Sequence, residues 1–116
     1  MQYIVLIYGS EKGWGSMSRP DVEQMYAEYK KYSEELAKAG VMRGGSELKP
    51  TTTATTVRVR NGKRQVTDGP FSETKEQLGG YYLIDVPNLE AALDWAAKVP
   101  SAQEGSIEIR PLAPMS

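Results

Sequence analysis

QYIVLIY, residues 2–8, decides the fold, because β-branched and aromatic residues follow one another there with no polar alternation. A strand open to water on one side alternates, so an unbroken apolar run marks a strand covered on both faces. This segment is expected at the centre of a sheet. Tyr81 to Val86, YYLIDV, repeats the pattern and supplies a second such strand.

Working outward from residue 8, Gly9 to Arg19 holds three glycines and Trp14 and reads as a loop. Ser18, Pro20 and Asp21 then form a helix start, with a capping hydroxyl, a proline in the first turn and an acid near the dipole's positive end. Val22, Met25, Tyr26, Tyr29, Ser33, Leu36 and Ala37 recur at helical spacing as far as Gly40, which predicts one long amphipathic helix. Val41 to Leu48 is a weaker strand, interrupted at Gly44-Gly45, where a bulge or close backbone approach is expected.

Thr55 to Arg60, TTVRVR, alternates, Asn61-Gly62 is a two-residue turn signal, and Lys63 to Thr67 returns. The turn sets Val57 opposite Val66 and Arg60 opposite Lys63. The alternation is expected to send Val57 and Val59 to the core and Arg58 and Arg60 to the other face. After DGPFSETKEQLGG and the strand at 81–86, Asn88 caps a second helix with Leu89, Ala92, Leu93 and Ala96 on one face, and Ser106 to Arg110 forms a last strand.

The order is strand, helix, strand, hairpin, strand, helix, strand. That is an α+β, ferredoxin-like βαββαβ pattern with an added hairpin, and 116 residues fill one domain, 1–116. Two helices cover one face of the sheet and leave the other open. The economical cover is a second copy, sheet against sheet, as a homodimeric α+β barrel.

Composition removes whole classes of chemistry. The chain has no cysteine and no histidine, which excludes disulfides, thiolate nucleophiles, histidine triads and the usual zinc sites. No metal and no cofactor is expected. Fourteen basic and 15 acidic residues give a net charge of -1, so nothing draws the whole chain to nucleic acid or anionic lipid. The longest apolar run, Tyr3 to Tyr8, is far short of a membrane span, and no basic segment precedes it. A cytoplasmic setting is expected.

Chemistry must then come from carboxylates, Lys, Arg, Tyr, Ser or Thr. Asp68-Gly69-Pro70 is first a turn, and as the rim of a cleft it would offer Asp68 as acceptor or base and Phe71 as an apolar wall. Glu73, Lys75 and Glu76 read as a solvated segment, or as ligand contacts where Gly79-Gly80 lets a ligand approach the backbone. Arg58 could fork onto a carboxylate or phosphate. Trp14 and the tyrosines, Tyr26, Tyr29, Tyr32, Tyr81 and Tyr82, read as core or interface, with Trp14 and Tyr82 also candidates to line a pocket.

The run Asp68 to Glu76, DGPFSETKE, followed by Gly79-Gly80-Tyr81-Tyr82, resembles the signature of the DGPF (DGPFAETKE) family of YCII-related proteins, with Ser72 where that pattern has Ala. YIVLIYG, ATTVRVRNGK and LEAALDWAAKVP are similar to the same family. The resemblance implies a ferredoxin-like dimeric barrel in an uncharacterised bacterial cytoplasmic protein, sometimes encoded beside extracytoplasmic-function sigma factors. It also implies kinship with dehydrochlorinase-like enzymes and a fold similar to that of muconolactone isomerases, and the His-Asp pair proposed as the site in YCII proper is one that a histidine-free chain does not contain.

Three functional expectations follow. The first is a homodimer whose cleft binds a small anionic or aromatic molecule through Arg58, Asp68, Phe71, Glu73, Lys75 and Glu76. The second is a histidine-free isomerase or dehydrohalogenase with Asp68 or Glu73 as base. The third is a protein-interaction module in sigma-factor regulation. The residues leave open whether the protein is an enzyme.

Overall fold

A computed structural model describes residues 1–114. Among the described residues, mixed α and β elements run β1 (Gln2–Gly9), α1 (Glu11–Gly15), α2 (Arg19–Lys38), β2 (Met42–Glu47), β3 (Thr55–Arg60), β4 (Lys63–Asp68), β5 (Gln77–Asp85), α3 (Leu89–Ala97) and β6 (Ser106–Pro111). Single 3-10 turns at Thr51–Thr53 and Pro100–Gln103 complete the order. No described helix is long and apolar enough to cross a membrane.

Four strands form one sheet in the order β2-β5-β1-β6, and β3 and β4 form a separate two-stranded sheet. Every pairing is antiparallel, and the larger sheet does not close into a barrel. The paired glycines act as expected. The β2–β5 register slips between Met42 and Gly44, and Gly44 and Gly45 sit at φ 155° and 158°. A Cβ on Gly45 would lie 2.8 Å from the Tyr81 carbonyl oxygen, so only glycine lets the strands come this close.

Both long helices are capped by the residues the sequence singles out. Ser18 Oγ accepts from the Asp21 N–H at 3.3 Å, and Asn88 Oδ1 from the Ala91 N–H at 2.9 Å. The core lies between these helices and one face of the sheet, and Val5, Leu36 and Ile84 are its largest fully buried side chains. Tyr32 packs edge-on against Tyr82, with centroids 5.3 Å apart, and against Trp95. Buried hydroxyls need partners. Tyr32 donates to the Trp95 carbonyl at 2.8 Å, Tyr29 meets Ser101 at 2.6 Å, and Ser33 meets Tyr82 at 2.7 Å, which ties α2 to α3, to the turn after it and to β5.

Within one chain β1 is covered on one face, as expected of a sheet whose helices pack on one side: Tyr3, Val5 and Ile7 are buried, while Ile4, Leu6 and Tyr8 are half-buried on the open side. Several other expectations are corrected. The supposed loop after Gly9 contains α1, which forms despite its glycines because Ser10 Oγ accepts from the Gly13 N–H. Strand β5 begins at Gln77, four residues early, since Leu78 and Gln77 continue the pairing with β1 beyond an irregularity near Ile7 and Tyr8. On α3, Ala92 and Ala96 are buried, whereas Leu89 and Leu93 are 51% and 45% exposed. Val57 and Val59 do not reach the core. The Asn61-Gly62 turn and the registers Val57↔Val66 and Arg60↔Lys63 form as expected, but the hairpin stands away from the sheet, leaving Val57, Val59 and Val66 59%, 63% and 57% exposed.

Candidate functional site

Helix α1 builds one end of a cavity. Its first residue is held from three directions: the Glu11 N–H donates to Gln77 Oε1 at 2.9 Å, and the Glu11 carboxylate accepts from Thr51 N–H at 2.7 Å and Thr51 Oγ1 at 2.8 Å. So anchored, α1 lays the Trp14 indole across Gly9 and Gly79. A Cβ on Gly79 would come within 2.5 Å of that ring, and one on Gly9 would collide with it too. The close approach that Gly79 permits is therefore made by Trp14.

Behind the indole lies a cavity of about 610 Å³, well inside the range of small-molecule sites. The sheet gives its floor through Ile7, Gly45, Gly80 and Tyr82, and α2 gives its wall through Val22, Met25, Tyr26, Tyr29 and Ser33. The apolar stripe of α2 thus divides, with Tyr32 and Leu36 filling the core and the first three turns facing the cavity. Methionines suit such a wall because a flexible, polarizable thioether adapts to irregular contacts.

The polar groups are few. Tyr26 donates its hydroxyl proton to Glu47 Oε1 at 2.8 Å, and that carboxylate holds the Tyr26 phenol above its ordinary pKa. Burial does the same to Tyr29. The charged residues around the cavity are Glu11 and Glu47, with no Lys or Arg. Both Glu11 oxygens accept from Thr51, whereas Glu47 has an oxygen, Oε2, with no hydrogen bond among the described residues and is the freer of the two carboxylates to accept from a ligand. An apolar chamber whose charged groups are carboxylates can hold a flat, uncharged or cationic molecule and orient a donor group on it.

The six residues singled out from the sequence lie elsewhere. Arg58 is exposed on the hairpin, Asp68 is exposed at the end of β4 opposite Thr55, and the Phe71 ring is 76% exposed. Glu73 and Lys75 border a shallow hollow with Ser10, Lys12, Thr74 and Gln77. Glu76 accepts from Ser106 Oγ at 2.8 Å. None of the six lines the larger cavity. Among the described residues no cluster of three or more acidic side chains is arranged to hold a metal. Trp14 and Tyr82 do line the chamber, together with Tyr26, Tyr29 and Tyr81. The missed signal is Trp14 bracketed by glycines, matched by a distant Gly-Gly pair. A large ring beside residues that have no side chain is a packing statement.

The sequence model of a family described as the YCII-related domain matches residues 1–116. An uncharacterised protein of Rhizobium meliloti (strain 1021) is 41% identical over 115 residues, covering 97% of this chain and 93% of that protein.

Proposed function

The chain belongs to the YCII-related family, and from that premise and the geometry of its cavity we propose that it binds a small aromatic or otherwise flat apolar molecule, uncharged or cationic, between α1, α2 and the sheet. The single observation that carries this reading is the lining: an apolar, aromatic chamber whose charges are both carboxylates. An anion placed there would face Glu47 with no cation to offset it. The charges of residues 73–76 then serve the loop that leads into β5, outside the binding site.

The finer architecture belongs to the same proposal. The strand order β2-β5-β1-β6, with helices after β1 and β5, supports a ferredoxin-like fold. The half-buried Ile4, Leu6 and Leu83 on the open face support a second copy as its cover, in a barrel of the kind found with the DGPF signature. The absence of cysteine suits a reducing cytoplasm.

Trp14 reports on its own cavity. The chain has two tryptophans, so Trp95→Phe leaves Trp14 as the lone indole. Titration with Nile red, which is neutral, is expected to quench or shift Trp14 emission, while 8-anilinonaphthalene-1-sulfonate, an anion, binds more weakly. Met25→Arg should reverse that preference, and Gly79→Val, which pushes the indole off its seat, should abolish the Trp14 response. If neither dye perturbs Trp14, and native mass spectrometry finds no retained molecule, the binding reading is wrong.

A further inference from the structure

The hairpin formed by β3 and β4 is the least explained part of the molecule. Its strands pair with each other, and no other described element makes more than marginal contact with them. One face carries Val57, Val59 and Val66 with Arg64 opposite Val59, and the other carries Arg58, Arg60, Lys63 and Gln65. A two-stranded ribbon standing alone in water is marginal at best, and three exposed valines on one face make it a poor surface to leave wet.

Three quantities bear on what covers it. The chain's radius of gyration is 16.2 Å, against about 13 Å for a compact chain of this length. Its accessible surface is 8485 Å², about 2,200 Å² more than the roughly 6,300 Å² of a compact monomer of this mass. That surplus exceeds the roughly 800 Å² per partner of a standard stable interface. The third quantity is charge. Thr55 to Asp68 holds four of the 14 basic residues and one of the 15 acidic ones, net +3, so the remainder, with ten basic and 14 acidic, is net -4.

We propose that the hairpin is an arm that reaches across to a second copy of this chain, laying its valine face, with Arg64, on the partner's body, while the arm's net positive charge, Arg58, Arg60 and Lys63 on its outer face included, is attracted over a longer range to the excess negative charge there. The charge division makes the contact self-complementary, since each copy offers a cationic arm and an anionic body. Nucleic acid fits less well, because it would leave the valines in water and meet a body of like charge. This inference rests on the homodimer proposed above and adds the arm as the element that secures it.

The lack of cysteine allows a clean test. Val59→Cys, labelled with benzophenone-maleimide and irradiated at micromolar concentration, should give a covalent species of twice the chain mass, with the crosslink mapping outside residues 55–68 of the other copy. By sedimentation equilibrium, Val57→Glu combined with Val66→Glu should weaken dimerisation tenfold or more, as should Arg58→Glu combined with Arg60→Glu, while circular dichroism shows the body still folded. Raised salt should weaken the unaltered dimer. A dimer of unchanged affinity in both double variants, or crosslinks confined to single chains, overturns the arm and leaves the sheet-face dimer standing. An unaltered chain that stays monomeric overturns both. Binding of short duplex DNA by the unaltered chain, lost in the arginine variant while its dimer persists, assigns the hairpin to nucleic acid instead.

Discussion

Val5 and Val59 are the same residue in antiparallel strands paired by the same backbone chemistry, yet Val5 is fully buried and Val59 is 63% exposed. The difference lies in what stands over each strand. Over β1 the sequence provides two helices whose apolar sides reach the sheet. Over β3 the chain provides nothing. Alternation specifies that a strand has an apolar face, but the element that meets that face is a separate fact, and here one region finds it within the chain and the other does not.

The widest separation between the two regions should come from truncating a side chain in each. Leu36→Ala empties a fully buried site and should cost about 2–5 kcal/mol. Val59→Ala should leave the folded body within about 0.5 kcal/mol of the parent, and show itself in self-association. Urea melts at low protein concentration check both. A large loss from Val59→Ala under those conditions would mean that the hairpin packs on its own chain.

The body and the turn of the hairpin were the legible parts of the molecule, and the reasons are physical. QYIVLIY has a strand's composition over its whole length, Ser18 and Asn88 are local capping signals, and Asn61-Gly62 fixes its turn within two residues, at φ 54° and 73°. Each is decided by neighbours in sequence. The cavity was not legible, because it depends on residues far apart in the chain: Glu11 reaching Thr51, Trp14 lying on Gly79, and Tyr26 meeting Glu47. The charged run after Asp68 attracted attention because it is dense in functional groups. Density of such groups is also how a solvated segment looks, and Glu73 and Lys75 are exposed.

Alkaline pH should break the body and spare the arm. Burial raises the phenol pKa of Tyr32, and that of Tyr29, so folding favours their neutral forms. The resulting stability is complete below the ordinary tyrosine pKa of about 10 and is lost as pH climbs from there toward the raised folded values. A melting temperature that holds to about pH 10 and falls beyond it, with Tyr32→Phe reducing the fall, is the expected result. The hairpin has no tyrosine, so a decline already under way at neutral pH would need another cause.

Within the arm, the turn is the sensitive point. Gly62 lies at φ 73°, where a β-branched residue is strained, and Gly62→Val should cost about 1 kcal/mol or more of local hairpin stability. Because the hairpin is coupled to little else, the body's melting midpoint should barely move. The loss should appear in the dimer, as an association roughly fivefold weaker. A drop in the midpoint with unchanged association would invert the assignment, making the hairpin part of the body's cooperative unit.

The smallest effect is expected at the residues most conspicuous in the sequence. Glu73 and Lys75 are exposed and border only a shallow hollow, and neither forms an ion pair among the described residues. Water solvates both charges whether the chain is folded or not, so Glu73→Gln and Lys75→Gln should each shift stability by less than about 0.5 kcal/mol. Trp14 should still respond to Nile red as it does in the parent, since the cavity lies on the other side of α1's anchor at Glu11. Glu11→Gln sets the scale: it weakens the acceptor for Thr51 on which the position of Trp14 depends, so its dye response should fall while those of the two loop variants do not. Should Glu73→Gln or Lys75→Gln abolish the response instead, the hollow beside Ser10 and Lys12 would be the binding site and the aromatic chamber behind Trp14 a packing defect.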